Sequence, residues 1–182
     1  MELIKERKLG KNILHWYPIE KESNVLQIGC TSSEIIEELC DKSNKLTVIV
    51  KNEKEKGNIL EKVHRDNIDI KVEEINDLQT EKYDYVTLIG TLDAYDKEDE
   101  REAYQRLSDL IKFAKNNCKD EGVILLAVDN KFGMKFWTNL KADKNIICNQ
   151  RRALSKKEID KNLKENNLNS FKYYCLIFSN TW

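Results

Sequence analysis

One proline and six glycines in 182 residues leave no proline-rich or glycine-rich linker along which the chain could divide. The five cysteines, Cys30, Cys40, Cys118, Cys148 and Cys175, are odd in number and scattered, with no CxxC pair. That excludes a disulfide framework or a cysteine-built zinc site and leaves them as small apolar core residues. The two histidines, His15 and His64, are isolated and read as surface or packed side chains. Neither charge sign dominates: 31 Lys+Arg stand against 32 Asp+Glu, a formal net charge of -1. Nucleic acid and anionic membrane surfaces therefore have no electrostatic claim as partners. No run approaches the roughly 20 apolar residues of a membrane helix. The first residues, MELIKERKLGKNIL, show neither the apolar core nor the cleavage site of a secretory signal, so the expected location is cytoplasmic.

Present instead are short apolar runs separated by longer amphipathic ones. Val25–Ile28 reads as a first strand ending at Gly29, and residues 33–40 as a helix. Leu46–Val50, rich in β-branched residues, is a second strand, and residues 53–64 a second helix. Ile68–Val72 and Tyr83–Ile89 are the third and fourth strands. Residues 98–117 form the longest helix, with Ala103, Leu107, Leu110, Ile111 and Ala114 as its buried stripe. The run from Val123 to Val128 is almost wholly apolar, as a central parallel strand covered on both faces would be. Ser155 and Glu158 have the spacing of a capping box, and residues 171–178 read as a last strand.

This alternation predicts one α/β domain over residues 1–182, built on a doubly wound, mostly parallel, Rossmann-like sheet. Ligands of such sheets sit beyond the carboxyl ends of the strands, where strand order reverses. Residues 29–33, 50–53, 76–78, 90–95 and 129–132 should therefore surround one crevice.

Four segments carry a more specific resemblance. HWYPIEKESNVLQIGCTSSEIIEEL enters like the first strand and turn of a class I S-adenosylmethionine-dependent methyltransferase, and YDYVTLIGTLDAY like its fourth strand and following loop. DEGVILLAVDNKFGMKFW and RRALSKKEIDKNLKENNLNSFKYY resemble signatures of a bacterial subgroup found beside, or fused to, glycosyltransferases of surface-polysaccharide synthesis. The four occur in the correct order over residues 12–180. The resemblance implies S-adenosylmethionine as cofactor, a small-molecule or carbohydrate-like acceptor, and a glycosyltransferase as a candidate partner. It also implies a closing pair of antiparallel strands, of which only residues 171–178 remain, set beside the fifth strand.

The cofactor carries a sulfonium, an amino-acid end and an adenosine. The resemblance implies contacts from Gln27, Gly29, Cys30, Thr31 and Ser32 after strand one, and from Val50 and Asn52 after strand two. It implies others from Asn76 and Asp77 after strand three and from Gly90, Thr91 and Asp93 after strand four. A glycine lets backbone N–H groups approach the ligand closely. Three departures stand out. Gln27 replaces an acid, the glycine-rich turn keeps only Gly29, and Val50 occupies the place of the acid that accepts from the ribose hydroxyls. Loss of one charge-assisted hydrogen bond of about 1.5–3 kcal/mol weakens affinity roughly 10- to 150-fold. Asn52 or Glu53, just beyond the strand, could serve instead, and Val50→Glu or Val50→Asp would then be expected to tighten binding.

Each candidate has a plainer role open to it. Gly29 is a tight-turn glycine with or without a ligand. Ser32 and Ser33 can cap a helix rather than hold a carboxylate. Asp93 can be a solvated loop acid. Asp129, the candidate general base on an acceptor hydroxyl, can equally form an Asx turn with Asn130. Trp16, Tyr17, Phe132, Phe136 and Trp137 can pack in a core rather than stack on a ring; His15, in HWYP, lies where the resemblance implies closure over the cofactor. Two functions stay open: methyl transfer in line to a positioned acceptor, or a degenerate domain supporting a partner enzyme. A nicotinamide site is disfavoured because GxGxxG is absent.

Overall fold

The computed structural model describes residues 14–29, 32–74, 81–94, 103–128 and 153–174. Five parallel strands form one sheet: β1 (Asn24–Ile28), β2 (Lys45–Val50), β3 (Ile68–Val72), β4 (Tyr83–Ile89) and β5 (Cys118–Ala127). Their spatial order is β3-β2-β1-β4-β5, so the chain winds outward from β1 to β3 and then returns to β4 on the other side. Strand order reverses between β1 and β4, which makes that pair the switch point of a doubly wound fold.

Helices cover both faces. On one face α1 (Ser33–Lys42) and α2 (Glu53–Lys62) bury Ile35, Ile36, Leu39 and Ile59 against Val25, Leu46, Val48 and Val50. On the other, α4 (Ala103–Asn117), which follows the short helix α3 (Thr91–Ala94), places Leu110 and Ala114 on Leu26, Ile28, Val86 and Leu88. The stripe expected on the long helix is buried throughout; residues 98–102, its expected start, lie outside the described part. Cys40 and Cys118 are buried free thiols, and burial pushes Cys40 up to about 11, so it remains protonated and unreactive. Cys30, Cys148 and Cys175 lie outside the described residues. Among the described residues no helix is long and apolar enough to cross a membrane.

The last described helix, α5 (Lys156–Glu165), docks on α4 through Ile159 and through Leu154 just before it, which meet Leu107 and Ile111. The fully buried Asn162 donates its amide to the Tyr104 carbonyl at 2.8 Å. The capping box is formed: the Glu158 amide donates to Ser155 Oγ at 3.3 Å, and the Ser155 amide donates to Glu158 Oε2 at 2.7 Å. Ser155→Ala should therefore cost about 1 kcal/mol of unfolding free energy in urea titration, and an unchanged midpoint would refute the cap's contribution.

Two expectations need correction. β5 is not a covered central strand. Among the described residues it pairs only with β4, begins five residues earlier than expected, and leaves Val123–Ala127 partly exposed. An apolar run reports what a strand could bury, not how many neighbours it has. The expected last strand does not begin at Phe171 either. Residues 171–174 carry no strand pairing: Tyr173 donates its hydroxyl to Asp160 at 2.6 Å, and Tyr174 stacks on Trp16 with ring centroids 4.4 Å apart. Their aromatic side chains are thus committed to α5 and to the segment preceding β1. Residues 175–178, which would carry the rest of that strand beside β5, lie outside the described part.

Candidate functional site

The carboxyl ends of β1 and β4 are built alike. β1 leaves the sheet through Gly29 at φ 65° and β4 through Gly90 at φ 69°. Both angles lie in the left-handed region, where a residue with a Cβ pays roughly 1–2 kcal/mol. Gly29 donates its amide to the Ile49 carbonyl at 2.9 Å, fixing the turn to β2 one residue past the ladder. Two sharp exits on adjacent strands thus stand at the switch point, where this topology offers a crevice to ligands.

A buried polar network joins the two exits. Gln27 and Thr87 are direct partners across β1 and β4, and both are fully buried. Thr87 donates its hydroxyl to Gln27 Oε1 at 2.6 Å. Gln27 Nε2 faces three carbonyl oxygens: Gly29 at 2.6 Å, Ile89 at 3.0 Å and Ile28 at 3.1 Å. Thr91, also buried, donates its hydroxyl to the Ile28 carbonyl at 2.5 Å. Two N–H donors set among converging carbonyls are what a carboxamide can supply and a carboxylate cannot. Gln27 is therefore matched to its surroundings, and its polar atoms point into the protein.

α1 begins directly beyond this crevice. Ser32 stands at its N-cap position, yet its side chain makes no cap bond to the helix. That sets aside the plain capping role for Ser32, whereas Asn52 Oδ1 caps α2 by accepting from the Glu55 amide at 2.9 Å and Ser155 caps α5. First-turn amides and the helix dipole suit an anionic group.

The end of β2 departs most from the expected site. Val50 is fully buried, packed with Val48, Ile36 and Leu39 in the core on the α1–α2 face. Its side chain carries no polar atom to offer a ligand. The segment containing His15 is also away from the crevice. Lys42, the last residue of α1, gathers the carbonyls of Leu14, His15 and Tyr17 at 2.8, 3.1 and 2.9 Å. Tyr17 meets Tyr85 near the start of β4. Since α1 runs back from the crevice, its last residue holds Trp16 and Tyr17 toward the opposite end of the sheet.

Gln27, Gly29, Ser32, Gly90 and Thr91 thus come together, with Asn52 exposed at the start of α2. Cys30, Thr31, Asn76, Asp77 and Asp129 lie outside the described residues, as does the side chain of Asp93; so do Phe132, Phe136 and Trp137. Thr87 was missed by sequence reasoning. Its signal was a polar residue inside each of two apolar runs, NVLQI and YDYVTLI, that had to pair.

The architecture recurs in solved methyltransferases. N-methyltransferase NodS from Bradyrhizobium japonicum WM9 superimposes with a TM-score of 0.60 at 18% identity, over 88% of this chain and 81% of that one. Its complex with S-adenosyl-L-homocysteine gives 0.58 at 20% identity, over 82% and 75%. The plantazolicin methyltransferase BpumL, solved with the same product, gives 0.60 at 15% identity, over 88% and 63%. The chain shares their Rossmann-like α/β fold. At these identities the likeness establishes the fold and no more. No family model and no curated protein matches the sequence.

Proposed function

We propose that the crevice between β1 and β4 binds S-adenosylmethionine and that the protein transfers its methyl group to a small-molecule or carbohydrate-like acceptor. The observation that carries this reading is the pair of left-handed glycines, Gly29 and Gly90, braced together at the switch point. The residues present suit such a ligand. Gly29 and Gly90 keep side chains out of the turn, and the first-turn amides of α1 with Ser32 suit its carboxylate. Cys30, Thr31, Asn76, Asp77 and Asp93 are proposed to complete the enclosure, with Asn52 taking the ribose in place of Val50. When bound, the cofactor supplies an electrophilic methyl group on a sulfonium. The chain's own task is to orient the acceptor and take up its proton, a role proposed for Asp129.

The sequence resemblance points to surface polysaccharide as the field in which to seek the acceptor and to a glycosyltransferase as the partner; the cytoplasm is proposed as the location. Isothermal titration with S-adenosylhomocysteine tests the reading without knowledge of the acceptor. One-site binding at micromolar strength, or weakened to the high micromolar range by the lost ribose acid, is expected. No binding at millimolar ligand would overturn it in favour of a domain that supports a partner enzyme.

A further inference from the structure

Resting on the reading of the crevice as the cofactor site, we propose that Thr91 and Thr87 are positioning residues which, through Gln27 and the Ile28 carbonyl, hold the two glycine turns in register and so set the affinity for the adenosyl ligand. Every polar atom of Gln27 is turned inward: Oε1 accepts from Thr87, and Nε2 is set on the carbonyls of Ile28, Gly29 and Ile89. Gln27 is 0% exposed and Thr91 is 1% exposed, so neither side chain is presented to a ligand as it stands. Gly29 lies just past the end of β1 and Ile89 is the last residue of β4, yet one amide nitrogen is bonded to both carbonyls.

Thr91 adds a second tie, from the first residue of α3 back to the end of β1. The β1–β4 ladder pairs Val25 to Gln27 with Tyr85 to Thr87, so beyond Gln27 these side-chain bonds take over the coupling of the two edges. A shift of either turn would move both walls of the crevice.

The tie is also separable from stability. Without the Thr91 hydroxyl the Ile28 carbonyl still faces the Gln27 amide nitrogen at 3.1 Å, whose two N–H groups are shared among three carbonyls, so the acceptor loses one partner without being left bare. The full chain and its Thr91→Val and Thr91→Ser variants would be titrated with S-adenosylhomocysteine, alongside thermal unfolding and amide hydrogen exchange. Thr91→Val is expected to weaken binding about tenfold with a thermal midpoint close to that of the parent, and Thr91→Ser to bind within about twofold. Thr87→Val and Thr87→Ser, which remove and keep the donor to Gln27, should repeat the contrast in binding if Thr91→Val fails to fold, with a lower thermal midpoint for Thr87→Val because Gln27 Oε1 loses its hydroxyl donor. Thr91→Val binding as tightly as the parent, or Thr91→Ser losing as much as Thr91→Val, would overturn the proposal.

If the parent does not bind at all, the cofactor reading has failed and the brace is judged by exchange alone. Faster exchange at the Gly29 and Gly90 amides in Thr91→Val, restored in Thr91→Ser, supports it; unchanged exchange overturns it.

Discussion

Gln27→Glu is expected to destabilise the fold by about 3–5 kcal/mol at neutral pH, the scale of an uncompensated buried charge. The shape of the side chain hardly changes; the consequence lies in what faces it. A carboxylate would sit against the carbonyl oxygens of Ile28, Gly29 and Ile89 with only the Thr87 hydroxyl as donor. Burial and those dipoles favour its neutral form and raise its folded-state pKa above the unfolded value of about 4.3. Between the two values the folded state binds more protons than the unfolded one, so stability falls as pH rises. The penalty should be smallest below about pH 4.3, grow with pH and level off above the folded-state value. Urea unfolding of parent and variant near pH 5 and pH 8 would show a narrower gap at the lower pH. A gap under about 1 kcal/mol at both would mean that the carboxamide is not matched to those carbonyls.

Val50→Asp is expected to cost about 3 kcal/mol or more and to gain no cofactor affinity. The family resemblance alone argues the reverse, because it implies an acid at the end of the second strand as the ribose acceptor. The structure places Val50 at 0% exposure among apolar side chains, with Val72 as its partner on β3. An aspartate there would be buried without a donor partner on its side chain, and would neutralise or disrupt the packing of α1 and α2 on the sheet. Urea unfolding with calorimetry separates the two outcomes. A variant of near-parental stability that binds S-adenosylhomocysteine more tightly would show that position 50 reaches the crevice after all.

Those two positions mark where the sequence was readable and where it was not. β2, β3 and β4 could be delimited to within a residue because β-branched and apolar runs end abruptly at Gly, Lys or Glu. Gly29 could be recognised as a turn because only glycine holds a left-handed exit cheaply. Gln27 was readable only as a missing acid. Its real role depends on Thr87, sixty residues away, and on a strand register that no local pattern encodes. The same limit explains β5, whose edge position depends on its neighbours, and Lys42, whose three carbonyl partners come from a segment 25 to 28 residues earlier. Residues 171–174 misled because aromatic, strand-forming side chains can equally pack one by one on a helix face.

The central claim is that the switch point between β1 and β4 is the ligand site, and backbone amide chemical shifts during titration with S-adenosylhomocysteine test it most directly. The account predicts that Gly29, Ser33, Gly90 and Thr91 shift together with one saturation curve, while Lys42, Tyr17 and the residues of α5 stay fixed. Saturable shifts confined to the opposite end of the sheet, or none anywhere at millimolar ligand, would contradict it.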